Sequence, residues 1–62
     1  MTLESTILRD LEAGQSTADA IALRSERSTG SVIATLMRLM SEGKVTSKAI
    51  CDGRLTVYLL KL

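Results

Sequence analysis

Histidine is missing from this sequence, and with it the side chain that most often moves protons near neutral pH. With a single cysteine beside it, the usual soft ligand sets for zinc cannot be assembled. There is no glycine-rich phosphate loop and no nucleophile motif, and the carboxylates are scattered at surface-like positions. No catalytic role, metal or cofactor is therefore expected. The lone Cys51 cannot close an intramolecular disulfide, which fits a reducing cytoplasm. No apolar run approaches the ~20 residues that span a bilayer. The opening "MTLESTILRDLEAG" is acidic and interrupted, unlike a signal or transit peptide.

Phenylalanine and tryptophan are also absent, and Tyr58 is the one aromatic residue. Burial must rest on Leu, Ile, Val, Met and Ala. The 62 residues suit one domain, 1–62. A chain of this size buries only roughly 60% of its unfolded surface, so its core is thin and a partner chain would help it. The net charge of +1 hides an asymmetry. Residues 1–20 carry Glu4, Asp10, Glu12 and Asp19 against Arg9. Residues 21–62 carry Arg24, Arg27, Arg38, Lys44, Lys48, Arg54 and Lys61 against Glu26, Glu42 and Asp52. The basic C-terminal part points to an anionic partner, or else is ordinary solubilising charge.

Without proline, glycine does the punctuation. Leu3, Ile7, Leu8 and Leu11 recur at helical spacing and predict a first helix from about Thr2 to Ala13, closed by Gly14 in a left-handed conformation. Ser16 or Thr17 then caps a short second helix, about Ala18 to Arg24, that buries Ile21 with Leu23 or Ala22. Ser28 caps the third helix, Thr29 to Glu42, which Gly43 ends. At 100° per residue Val32, Ile33, Leu36, Met37, Leu39 and Met40 fall on one broad arc. Gly30, Ser31, Ala34, Thr35, Arg38, Ser41 and Glu42 fill the other. That second arc is bare of Lys and carries one Arg and one Glu, where a merely solvated helix face bristles with both.

After Gly43 the period changes to two. "KVTSKAIC" and "RLTVYLL" read as strands joined by Asp52-Gly53, a pair suited to a two-residue type I′ turn. That turn sets Cys51 opposite Arg54, Ala49 opposite Thr56, Ser47 opposite Tyr58 and Val45 opposite Leu60. The second strand is apolar on both faces, with Leu55, Val57 and Leu59 one way and Tyr58 and Leu60 the other. Its second face must be covered by the first helix and Leu62, or by another copy of the chain, since a bare apolar strand invites aggregation. A homodimer is the expectation drawn from this.

Three helices followed by a hairpin, with Ser28, Val32, Leu36, Arg38, Leu39, Glu42, Gly43 and Val45 at their spacings and Asp52-Gly53 at a wing tip, resembles the winged helix-turn-helix family. The resemblance covers about Leu3 to Leu60. It implies an α+β fold that binds double-stranded DNA as a transcriptional regulator, with the third helix in the major groove and the hairpin as a wing. By that resemblance Ser28, Thr29, Gly30, Ser31, Ala34, Thr35 and Arg38 would face DNA, with Arg27, Lys48 and Arg54 on phosphates. One departure stands out: the reading arc has no Asn, Gln or Lys. The other reading keeps the fold but gives its surface to a protein partner. In that case Arg38 is a solvated arginine, Gly30 serves helix packing, and Lys48 and Arg54 keep the hairpin soluble. Met37 and Met40 read as core or rim packing, and Cys51 as a small residue at a strand end.

Overall fold

A computed structural model describes residues 2–61 in the order α1 (Leu3–Glu12), α2 (Ala18–Ser25), α3 (Thr29–Ser41), β1 (Val45–Ile50) and β2 (Leu55–Leu60). Leu62 lies outside the described residues, so its suggested part in covering β2 does not enter. Each helix starts as its sequence dictates. Thr2, Thr17 and Ser28 take extended backbone and accept from the N–H three residues on, those of Ser5, Ala20 and Ser31. Thr17 is thus the second cap, which releases Ser16 for another use.

The helices end less uniformly. Gly14 follows α1 with φ +137°, a region that only glycine enters easily. α2 runs one residue beyond the expected Arg24. Glu26 closes it in the left-handed region at φ 57°, and the Arg27 N–H reaches back to the Ala22 carbonyl at 3.1 Å. A left-handed non-glycine residue costs on the order of 1 kcal/mol. Here it delivers a three-residue turn, Glu26–Ser28, between α2 and α3.

The core gathers Ile7 and Leu11 from α1, Ile21 and Ala22 from α2, Val32, Leu36 and Leu39 from α3, and Val45 from β1. Ala22, and not Leu23, is the second buried residue of α2. Leu23 is 81% exposed. The apolar arc of α3 is also narrower than its sequence suggests. Val32, Leu36 and Leu39 are buried and Met40 half-buried, but Ile33 is 37% and Met37 61% exposed. The core reading of Met37 is therefore corrected. The described elements packed on α3 cover one side of it and leave this flank open.

β1 and β2 pair antiparallel with Val45 opposite Leu60, Ser47 opposite Tyr58 and Ala49 opposite Thr56, the expected register. The turn is longer than expected. Asp52 and Gly53 have φ 58° and 84°, and the Arg54 N–H donates to the Cys51 carbonyl at 3.2 Å, as in a type I′ turn. Cys51, however, is itself left-handed at φ 54°, and the Gly53 N–H donates to the Ile50 carbonyl at 3.1 Å. The ladder therefore closes at Ile50–Leu55, and Cys51 and Arg54 belong to the turn rather than to the strands.

Much of β2 is covered by its own chain. Tyr58 and Leu60 pack against the core, and α1 lies on this strand. On the other face Val57 is buried and Leu59 half-buried, leaving Leu55 41% exposed. The segment before α2 also pairs with β2: Ser16 and Tyr58 exchange backbone hydrogen bonds of 3.1 and 2.8 Å. No sequence signal marked this bridge.

Candidate nucleic-acid interface

The turn and first two turns of α3 are organised by short hydroxyls. Ser28 Oγ accepts from the Ser31 N–H at 3.2 Å and lies 2.9 Å from Ser31 Oγ. Thr35 Oγ1 donates to the Ser31 carbonyl at 3.0 Å, and Thr29 Oγ1 donates to Asp19 Oδ1 at 3.4 Å. Four of the predicted site residues are thus brought together by bonds made within the chain. Their hydroxyls make bonds within the chain, to the helix backbone, to one another and to Asp19.

Opposite the buried stripe, Gly30, Ile33, Ala34, Met37 and Ser41 are exposed. A Cβ built on Gly30 would meet nothing within 4 Å. The helix-packing explanation for this glycine is therefore excluded within the chain, and the helix backbone lies open to whatever approaches. Ile33 and Met37 were missed as outward residues. The available signal was their place at the edge of an apolar arc too wide for so few packing elements.

Six of the eight basic residues fall into two groups. Arg24 grips Asp10 with two prongs, Nε to Oδ1 at 3.0 Å and Nη2 to Oδ2 at 2.9 Å, and also reaches Ser16 Oγ. This fork ties α2 to α1 and to the segment bridged with β2. Arg38 Nη2 is 3.2 Å from Glu4 Oε2, and Lys44 Nζ is 3.6 Å from Glu4 Oε1 and 3.4 Å from Glu42 Oε1. Arg38, the expected guanine reader, is held to α1. By contrast Arg27 in the turn before α3, Lys48 on β1 and Arg54 in the wing turn are exposed, and among the described residues no carboxylate pairs with them.

Among the described residues no cluster of His, Cys, Asp or Glu could hold a metal ion, and no helix is long and apolar enough to cross a membrane. The shallow hollow between α1 and α2, about 320 Å³ and lined by Thr6, Arg9, Asp10, Ala13, Arg24 and Ser25, contains the Arg24–Asp10 fork.

Two helices joined by a three-residue turn, the second with a bare outward face, followed by a two-stranded hairpin, define a winged helix-turn-helix fold. The chain superposes on a cysteine-to-serine mutant of Lactococcus lactis ZitR in complex with DNA, with a TM-score of 0.88 and 26% identity over 98% of this chain and 42% of that one. It also matches the adhesin competence repressor AdcR of Streptococcus pyogenes, with a TM-score of 0.92 and 19% identity over 98% of this chain and 46% of that one. A glutamate-to-alanine mutant of L. lactis ZitR gives 0.92 at 22% identity, over 98% and 42%. The chain thus spans less than half the length of these proteins. No protein-family model matches it, and neither does any curated protein sequence.

Proposed function

We propose that this winged-helix domain binds double-stranded DNA as a transcriptional regulator, with α3 in the major groove and the β1–β2 hairpin as its wing. The observation that carries the reading is the segregation of its cations. Arg24, Arg38 and Lys44 are committed to carboxylates of the same chain, while among the described residues Arg27, Lys48 and Arg54 stand unpaired at the start of α3 and along the hairpin, as do Arg9 on α1 and Lys61 after β2. Free, exposed cations beside a bare helix suit phosphates flanking a groove. The superposition on a protein solved with DNA supports the same reading.

In this arrangement Arg27, Lys48 and Arg54 take phosphates, and the stretch from Ser28 to Thr35 enters the groove, with Ser28, Thr29, Ser31 and Thr35 at its wall. Arg38 reaches DNA only by giving up Glu4. A role of this kind needs no catalysis. With one reading helix per chain and few long polar side chains on it, two copies on adjacent half-sites provide the affinity that one lacks. We propose a homodimer on DNA for that reason, β2 being already largely covered within the chain.

The test is the salt dependence of binding to a random-sequence duplex, followed by fluorescence anisotropy. Three phosphate contacts per chain give a log–log slope of about −3 for one copy and about −5 for two. Binding that is indifferent to salt would remove the proposal.

A further inference from the structure

The outward face of α3 also bears on which DNA would be preferred. We infer, on the strength of the DNA-binding reading above, that α3 selects thymine-rich sites by packing Ile33, Ala34 and Met37 against the C5-methyl groups of thymine.

On the floor of the major groove guanine offers two acceptors, adenine an acceptor and a donor, and cytosine a donor. Thymine offers an acceptor and a methyl group, the one apolar feature in the set. A helix that reads guanine or adenine needs long donors or amides free to reach. α3 has neither to spare. Its hydroxyls at Ser28, Thr29 and Thr35 are engaged with Ser31 and Asp19, and Arg38, in the last turns, is held by Glu4. What remains free on the outward face is mainly apolar, with the short hydroxyls of Ser31 and Ser41 as its polar groups.

Ile33 and Met37 lie one turn apart, are 37% and 61% exposed, and are large. Ala34 lies beside them toward the centre of the exposed face, and Gly30 one turn before Ala34 has open space around it. Small residues in the middle of the face let the helix axis come close to the base edges. The flanking Ile and Met then supply methyl and thioether surface at the depth of the thymine methyls, and methionine's flexible stem lets it adapt. Against a guanine-rich site the same face would strip water from O6 and N7 and return no donor, which penalises that sequence. The apolar face thus selects both for thymine and against guanine.

The probes are four short duplexes: alternating dA·dT, the same with deoxyuridine in place of thymidine, alternating dG·dC, and the same with 5-methylcytosine. Uracil removes the methyl and keeps the pairing, and 5-methylcytosine adds the methyl to a pair that lacks it. Each methyl covered is expected to tighten binding about fourfold, so two or three give roughly a tenfold or greater preference for thymidine over deoxyuridine. The 5-methylcytosine duplex is expected to regain part of that gap over dG·dC. The double variant Ile33→Ser/Met37→Ser should bind the thymidine and deoxyuridine duplexes alike, while keeping its salt slope and its circular dichroism spectrum. Equal, salt-sensitive binding of both duplexes by the parent protein overturns the thymine inference and leaves DNA binding standing. Discrimination that survives in the double variant overturns the assignment to Ile33 and Met37. No binding to any duplex at low salt overturns the DNA reading and this inference together, and self-association relieved by Met37→Glu would then give the face to protein.

Discussion

The two edges of the apolar arc of α3 are made from nearly the same kind of residue and meet opposite fates. On one side Val32, Leu36 and Leu39 are fully enclosed by α1, α2 and β1. On the other Ile33 and Met37 remain in solvent, one residue away in sequence from the buried set. Hydropathy does not separate them; position relative to the neighbouring elements does. In a chain with so few elements, apolar residues beyond the reach of the core become surface. A surface of that kind, flanked by unpaired cations, is suited to a partner with an anionic rim and some apolar floor, and a DNA major groove is both.

The largest test of this contrast is a pair of truncations. Leu36→Ala should cost about 2–5 kcal/mol, because it removes a fully buried side chain and leaves a cavity. In so small a domain that is enough to unfold much of the population. Met37→Ala, one residue on, should change stability by less than about 0.5 kcal/mol. Urea denaturation followed by circular dichroism measures both, and equal losses would mean that Met37 is covered in solution.

A smaller effect concerns the cations. Glu4 holds Arg38 and Lys44 at a largely exposed site, so Glu4→Gln should alter stability by less than about 0.5 kcal/mol. It frees Arg38, leaves Lys44 paired with Glu42, and removes one negative charge. Affinity for duplex DNA at low salt should rise, and the salt slope should steepen by about 1 as the freed Arg38 takes up a phosphate. An unchanged isotherm would mean that Arg38 lies off the DNA path.

Much of the fold was legible in the sequence because its signals are local. Thr17 and Ser28 as caps, Gly14 and Gly43 as stops, and the change of period after Gly43 each act within a few residues. The register from Val45–Leu60 to Ala49–Thr56 followed from placing one turn. The misses are tertiary. Whether Leu23 or Ala22 is buried depends on how α2 meets α3, and the exposure of Met37 depends on what the rest of the chain can cover. The Ser16–Tyr58 bridge joins positions far apart in sequence through backbone atoms, which no side-chain pattern announces. The wing turn began one residue early because Cys51 adopts a left-handed conformation that its residue type does not favour. Of the site, Arg27, Lys48 and Arg54 were legible as basic residues at the start of α3 and on the hairpin, but not that they are unpaired. The capture of Arg38 by Glu4 was not legible either, since it joins residues 34 apart.

Whether α3 and the hairpin form one DNA-binding surface is decided by a backbone amide NMR titration with a short duplex, at low and at moderate salt. The expected shifts are concentrated in residues 27–38 and 48–54 and fade as salt rises, with α1 little affected. Shifts centred on α1 and α2, or none at all at low salt, would contradict such a surface.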